Sequence, residues 1–269
     1  MQKPQGYLTI NQQAWNRMVD QQDRLTRPAE DREFVNPLKT VDPCGWLGSS
    51  IAGQRVLCLA AGGGRQAPLY AAAGGRVTVV DLSSKMLDLD RSVARQRNLS
   101  LETIETSMGD LSMLGDDSFD LVIHPVSTCY LPDVKPVYRE IARVLKGEGL
   151  YISQHKQPAS LQAPPQTADG NYSLEHPYYR TTPLPPVNTK NLVRELDTLE
   201  YLHRWEELLG EMCRAGFWIE DLLEPVHADP SAAVHSFEYR SVFLPAYVRI
   251  KARRRQKPPN SGQKIWIPQ

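Results

Sequence analysis

The chain has 269 residues, enough for one large domain with additions or two small ones, and its 31 basic side chains balance 31 acidic ones. That balance argues against a general polyanion-binding surface and so against nucleic acid as a partner, and a 41% hydrophobic content argues against wholesale disorder. No run approaches the roughly 18 apolar residues of a membrane span, and the opening MQKPQGYLTI lacks the basic-then-apolar pattern of a secretion signal.

Residues 11–26 carry Trp15, Met18, Val19, Gln22 and Leu25 at helical spacing, with Asn11 as N-cap and Pro28 as the stop. The stripe suits either a helix packed on the domain edge or a lid over a ligand. Pro28, Pro37 and Pro43 break up residues 27–54, and Cys44-Gly45-Trp46-Leu47-Gly48 reads as a tight turn. Cys44, Cys58, Cys129 and Cys213 form no close pair, so they read as reduced thiols of a cytoplasmic protein, with no disulfide frame and no metal site.

The most informative stretch is 55–81. Val56-Leu57-Cys58-Leu59-Ala60 reads as a buried strand, Gly62, Gly63 and Gly64 as a turn, Ala67 to Ala73 as a helix, and Val77-Thr78-Val79-Val80 as a second strand ending on Asp81. Glycines let a backbone approach a ligand closely, the following helix offers free N–H groups, and a carboxylate about 20 residues further on can accept from a ribose diol. A purely structural strand-to-helix turn is the plainer reading of the same glycines.

Ser83 or Ser84 can cap a helix running to about Arg97, with Met86, Leu87, Leu89, Val93 and Ala94 on one face. Residues 101–106 read as a short, edge-like strand and 119–124 as a fourth, ended by Pro125. Asp133 can cap a helix through Val137, Ile141, Val144 and Leu145, closed by Lys146-Gly147, and 149–154 reads as a fifth strand. This alternation predicts parallel pairing with right-handed crossovers.

From 156 to 191 the texture changes: seven prolines (Pro158, Pro164, Pro165, Pro177, Pro183, Pro185 and Pro186) interrupt it, while Tyr172, Tyr178 and Tyr179 point to packing. Such a long loop inside a domain is usually functional. Helical spacing returns over 192–215, strongest at Trp205, Leu208, Leu209, Met212 and Cys213, and Gly216 stops it. Residues 217–223 read as a sixth strand and 236–250, broken at Pro245, as a seventh. The last stretch, 251–269, reads as a loosely held basic tail.

Read against known families, the chain resembles the class I S-adenosylmethionine-dependent methyltransferases, in particular the branch acting on small molecules. Leu57-Cys58-Leu59-Ala60-Ala61-Gly62-Gly63-Gly64 resembles the first motif of that family, and Asp81 falls on its ribose-binding acid. Gly109-Asp110-Leu111 resembles the motif after the third strand, which meets the adenine. Ser118-Phe119-Asp120-Leu121-Val122, Leu131-Pro132-Asp133 and 139–149 resemble the strand, turn and helix that follow.

The resemblance implies a Rossmann-like α/β fold: a seven-stranded, mostly parallel sheet with helices on both faces, an N-terminal helical lid over 1–50, a methyltransferase domain over 51–250 and a tail over 251–269. The insertion at 156–204 would cover the acceptor. It further implies S-adenosyl-L-methionine as cofactor, bound by Ala60, Ala61, Gly62, Gly63, Gly64, Asp81, Leu82, Met86, Gly109, Asp110, Leu111 and His124. Two departures stand out: Cys58 occupies the place of an acid near the methionine amine, and Ala60 replaces the first glycine, which the turn accepts if its φ is negative. Tyr130 takes the place of a histidine common after the fourth strand.

Methyl transfer from a sulfonium is an in-line displacement that depends mostly on positioning. A base is needed only if the acceptor arrives protonated. His124 and His155, at the carboxyl ends of the fourth and fifth strands, and Tyr130 are the candidates for it; a structural imidazole is the alternative for each histidine. A small organic acceptor is the expected substrate. Two other readings share the glycine loop: a nicotinamide-dependent dehydrogenase, and a non-catalytic cofactor-binding or assembly protein on the same scaffold.

Overall fold

Val56, Leu57, Cys58 and Leu59 are all fully buried, so the apolar run before the glycines is a strand covered on both faces. The computed structural model describes residues 6–163, 172–187 and 193–256. That strand, β1 (Arg55–Leu59), is the centre of one sheet with β2 (Arg76–Asp81), β3 (Leu101–Glu105), β4 (Phe119–His124), β5 (Leu145–Lys156), β6 (Phe217–Leu223) and β7 (Tyr247–Arg254). The order is β3-β2-β1-β4-β5-β7-β6. Strands β1 to β5 pair in parallel, and β7 runs antiparallel between β5 and β6.

The pleat of β1 divides the core. Leu57 and Leu59 face α5 (Lys135–Val144), whose Val137, Tyr138, Ile141 and Val144 are completely buried. Val56 and Cys58 face Ala67 and Tyr70 of α3 (Gln66–Ala72) and Leu87 of α4 (Ser84–Gln96). Helices therefore cover both faces of a seven-stranded, mostly parallel sheet, as the order of elements predicts.

Several boundaries differ from the expectation. The N-terminal helix is α1 (Gly6–Asp20), so Asn11 is not its cap. Asn11 is buried inside the helix, where its amide donates to Tyr130 O and Leu199 O and its oxygen accepts from Leu199 N at 2.7 Å. Tertiary partners satisfy a side chain whose type alone suggests a cap. A shorter helix, α2 (Pro37–Val41), follows, capped by Asn36. Lys146 and Gly147 belong to β5, not to a helix end.

Helix α6 (Pro158–Gln162) opens the insertion. Beyond it, residues 193–204 are not helical, although 192–215 has helical spacing; Leu192 lies outside the described residues. The helix there is only a π-turn at Glu206–Gly210 continued by α7 (Glu211–Arg214). The expected strand over 236–250 is instead α8 (Phe237–Ser241), capped by Ser236, followed by β7. Lys251–Arg254 completes β7, so this part of the basic tail is not loose: the Arg253 side chain donates to Glu148 O at 2.6 Å, and buried Arg254 donates to Leu145 O and pairs with Asp117. Residues 257–269 lie outside the described residues.

The segment after β3 is held from α5. Arg143 donates to Leu111 O at 2.7 Å and to Leu114 O at 2.8 Å, while Glu140 accepts from Leu111 N at 3.1 Å and from Arg143. The Arg143→Leu substitution is expected to destabilise the fold by about 1–2 kcal/mol, the lower part of the range for hydrogen bonds to a charged group because this side chain is partly exposed. Urea unfolding measures it.

Candidate active site

The β1 strand ends where Ala60 N donates to Val80 O at 2.7 Å, and the chain then turns sharply. Ala60 sits at φ +48°, Gly63 at +116° and Gly64 at +75°. The condition that Ala60 have a negative φ is therefore not met; its Cβ is carried in the left-handed region at a cost of about 1–2 kcal/mol. Gly62 has a different reason to be glycine. A Cβ there would lie 2.8 Å from Met86 Cβ and 3.0 Å from Asp81 Oδ2.

Asp81, at the tip of β2, accepts from Gly62 N through Oδ2 and from Ser83 N through Oδ1, both at 2.9 Å. Burial raises its pKa, and the N–H groups of Ser83 and Gly62 oppose that rise. Ser83 also caps α4 by accepting from Met86 N. Beneath the loop, fully buried Asp90 of α4 accepts from Gly64 N at 2.9 Å and Gly63 N at 3.2 Å.

A cavity of about 510 Å³ opens above this turn at the carboxyl ends of the strands, within the usual range for small-ligand sites. Ala60, Ala61, Gly62, Gly63, Asp81, Leu82 and Met86 line one end. Trp15, Tyr130, Gln154, Glu195, Tyr247 and Arg249 line its other parts. Trp15 of α1 meets the Tyr130 ring edge-on at 5.9 Å between centroids.

Other predicted residues stand outside it. Gly64 lies behind the loop. Leu111 is fully buried in the core, and Asp110 accepts from Ser112 N within its own turn; Ser107 and Met108, just before them, line the wall instead.

The candidate bases are placed unequally. His155 lines neither this cavity nor the smaller one of about 90 Å³ beside it. Its ring is held between Thr128 Oγ1 at 2.9 Å and Ser153 Oγ at 2.8 Å, and burial, with His124 and His203 nearby, pushes its pKa well below the usual value. Both its ring nitrogens thus have partners, and it does not line the main cavity. His124 reaches only the smaller cavity, between Tyr151 OH at 2.8 Å and Ser127 Oγ at 2.7 Å, with burial lowering its pKa to about 3.

Tyr130 does line the main cavity. It lies in a 3-10 turn, Thr128–Tyr130, and its hydroxyl donates to Glu195 Oε2 at 2.8 Å. Burial and then Glu195 raise its pKa well above the usual value.

Glu195 was not singled out by the sequence, because it lies in 192–215, where the apolar spacing reads as a helix and says nothing of a polar partner. Its Oε2 also accepts from Lys156 Nζ at 2.6 Å, and Lys156 reaches buried Glu200 at 3.0 Å. Burial favours the neutral amine, but Glu195 and Glu200 outweigh it and hold Lys156 protonated. The Tyr130 and Lys156 contacts both go to Glu195 Oε2, Oε1 receives no hydrogen bond from the described residues, and Glu195 lines the cavity.

Residues 57–153 match a protein family described as a methyltransferase domain. The chain is 35% identical over 228 residues to the Bacillus subtilis (strain 168) protein named uncharacterized methyltransferase YbaJ, an alignment spanning 80% of this chain and 89% of the relative. The chain belongs to the class I S-adenosylmethionine-dependent methyltransferases.

The methyltransferase uses S-adenosylmethionine as its cofactor. Its fold is shared by a methyltransferase structure from Mesorhizobium loti (TM-score 0.60, 22% identity, 77% of this chain and 94% of that one). It is shared as well by the 1,6-didemethyltoxoflavin-N1-methyltransferase of Burkholderia thailandensis (TM-score 0.60, 16% identity, 95% and 92%), solved with S-adenosylhomocysteine bound.

The cradle of the methyltransferase carries two opposite expectations for its small residues. Ala60→Gly is expected to stabilise the protein by up to about 1 kcal/mol, the left-handed strain being partly offset by glycine's entropy; thermal unfolding measures it. Gly62→Ala drives a Cβ into Met86 and Asp81 and is expected to weaken S-adenosylhomocysteine at least tenfold, about 1.4 kcal/mol, as read by calorimetry.

Proposed function

We propose that this enzyme methylates a small organic acceptor held against the cofactor in the 510 Å³ cavity. One observation carries the reading: a single cavity joins the glycine turn and Asp81 to a wall of aromatic rings and a carboxylate, Trp15, Tyr130, Tyr247 and Glu195. The dimensions suit a small molecule. Helix α1 and the segment carrying Glu195 both contribute to the walls, which supports the insertion as part of the acceptor's enclosure. The Burkholderia neighbour, whose own substrate is 1,6-didemethyltoxoflavin, illustrates the substrate class on this fold.

In this reading Asp81 would accept from the ribose hydroxyls, Gly62 and Gly63 would let the backbone come close, and Leu82, Met86 and Met108, which line the same cavity, would help to hold the cofactor. The fit rests on the cradle itself: Asp81 is already oriented by Gly62 and Ser83, and a Cβ at Gly62 would press on the Asp81 carboxylate and Met86. Cys58 takes no part in charge pairing, since burial, and Asp90 beside it, keep its thiol neutral. Gly64, Leu111 and His124 serve by supporting the residues in front of them.

When bound, the cofactor supplies a methyl group on a positively charged sulfur, which is a good leaving group. The chain's part is to hold the acceptor in line with it, an effect that reaches about 7–11 kcal/mol in well-oriented systems. Trp15 and Tyr130 form an apolar, rigid wall for that purpose. Glu195 Oε1 accepts the proton of an acceptor hydroxyl or amine, with Lys156 and Tyr130 fixing the other oxygen in place. Proton acceptance of this kind contributes about 10²–10⁴-fold.

The test is a panel of phenols, hydroxy acids and heterocyclic amines assayed for formation of S-adenosylhomocysteine and for methylated product by mass spectrometry; turnover confined to proteins or nucleic acids would overturn the small-molecule reading. Asp81→Ala is expected to weaken cofactor binding by about 1.5–3 kcal/mol, measured by calorimetry. On an acceptor found in the panel, Glu195→Gln is expected to lower kcat by about 10²–10⁴-fold with cofactor affinity unchanged. With His124 lowered to about 3 and His155 also far below its usual range, kcat should show no limb from either imidazole near its ordinary value.

A further inference from the structure

Among the acids of the interior, Asp90 has no cationic partner among the described residues, yet it is fully buried. Its carboxylate meets two backbone N–H groups instead, those of Gly63 and Gly64. Both glycines hold positive φ, and neighbouring contacts fix the same turn: Gly64 O accepts from Ala29 N, and Gly63 N also donates to Met86 O at 3.0 Å. Helix α4 packs tightly there, because a Cβ on Gly64 would lie 3.0 Å from Val93 and 3.2 Å from Leu89 O. A carboxylate adds an acceptor for Gly64 N at 2.9 Å and a second one, at 3.2 Å, for Gly63 N beside Met86 O.

We propose that Asp90 is a positioning residue of the cofactor site, its buried carboxylate holding Gly63 and Gly64 in the shape on which the cofactor rests. The inference depends on the glycine turn being the cofactor cradle. It also explains how the turn keeps its shape with unusual residues before it: Cys58 provides a neutral thiol and Ala60 a strained φ, so neither anchors the loop. Asp90 does so from the next helix, 26 and 27 residues beyond its two partners.

The anchor responds to pH. Burial pushes the Asp90 pKa up to about 8; the Gly64 and Gly63 N–H groups pull it down, nearby Asp81 adds to the rise, and Arg91 opposes it. The groups facing it are Asp81 from β2, Cys58 from β1 and Arg91 from its own helix. Only the ionised form offers lone pairs to both glycines without competition from its own proton. Cofactor affinity therefore rises as pH passes upward through about 8.

Stability has the opposite slope. Because the folded pKa lies above the unfolded one, the native state binds the extra proton, and its contribution is lost between the unfolded value of about 4 and the folded value of about 8. Tighter cofactor binding together with a lower melting temperature, over one pH interval, is a signature that a merely structural acid would not produce.

The experiment titrates S-adenosylhomocysteine into the full-length protein by calorimetry between about pH 6.5 and 9, for the wild type, Asp90→Asn and Asp90→Ala, alongside thermal unfolding. The wild type should tighten roughly threefold to tenfold while its Tm falls. Asp90→Ala should bind roughly ten- to hundred-fold more weakly at pH 9, and both variants should lose the two slopes.

A folded Asp90→Ala protein that keeps wild-type affinity and slope overturns the proposal. Should both variants fail to fold, amide exchange of Gly64 in the cofactor-free wild type decides: protection, corrected for intrinsic rate, must increase across the same interval, and unchanged protection overturns the proposal. Absence of any S-adenosylhomocysteine binding by the wild type would instead remove the cofactor-cradle reading, with amide exchange still reporting on the clamp.

Discussion

The hydrogen bond from Gly62 N to Asp81 Oδ2 is the constraint around which the molecule is arranged. It ties the turn after the central strand to the tip of its neighbour, so the two walls of the cradle cannot drift apart. Parallel pairing of β1 with β2, residue by residue from Arg55 opposite Arg76 to Leu59 opposite Val80, brings the two groups level. The α4 cap at Ser83 then aims the next helix so that Asp90 arrives beneath the same turn. A local turn is thereby held by three neighbouring elements.

The opposite end of the cavity is built by different physics. No regular strand or helix places Glu195; a buried charge network does. Lys156 at the end of β5, with Glu195, Glu200 and the Tyr130 hydroxyl, gathers charges from segments far apart in the chain. Burying such charges is costly unless each is matched, so the network specifies one arrangement of the 193–200 segment against the sheet. Asn11 adds a second stitch, joining α1, the Tyr130 turn and Leu199. The aromatic and carboxylate walls are consequently linked to each other through polar contacts, whereas the cradle is linked to the hydrophobic core.

The two histidines show why strand-end position is a weak guide to chemistry. Both lie at the carboxyl ends of strands, as the sequence pattern predicts, but the pleat and the following turn decide which way a ring faces. His124 is drawn to Tyr151 and Ser127, and His155 to Thr128 and Ser153. Both nitrogens of each buried imidazole are engaged, and low-dielectric surroundings disfavour its charged form. Tyr130, adjacent in sequence, faces the cavity because the 3-10 turn rotates it outward against Trp15.

Local sequence determined the parallel half of the sheet, the glycine turn with Asp81, the Ser83 cap and the helix of 135–144, since each depends on contacts among residues close in the chain or on a repeated apolar spacing. Those features suffice to read a class I methyltransferase and its cofactor. The tertiary structure alone decided the extent of the N-terminal helix, the non-helical course of 193–204, the inclusion of Lys251–Arg254 in β7, and the contacts of Asp90 and Glu195. In each of these, a side chain's partner lies far along the chain: Asn11 with Leu199, Arg254 with Leu145, Glu195 with Lys156. Periodicity encodes which face is buried. It does not encode which distant polar group will be there to meet it.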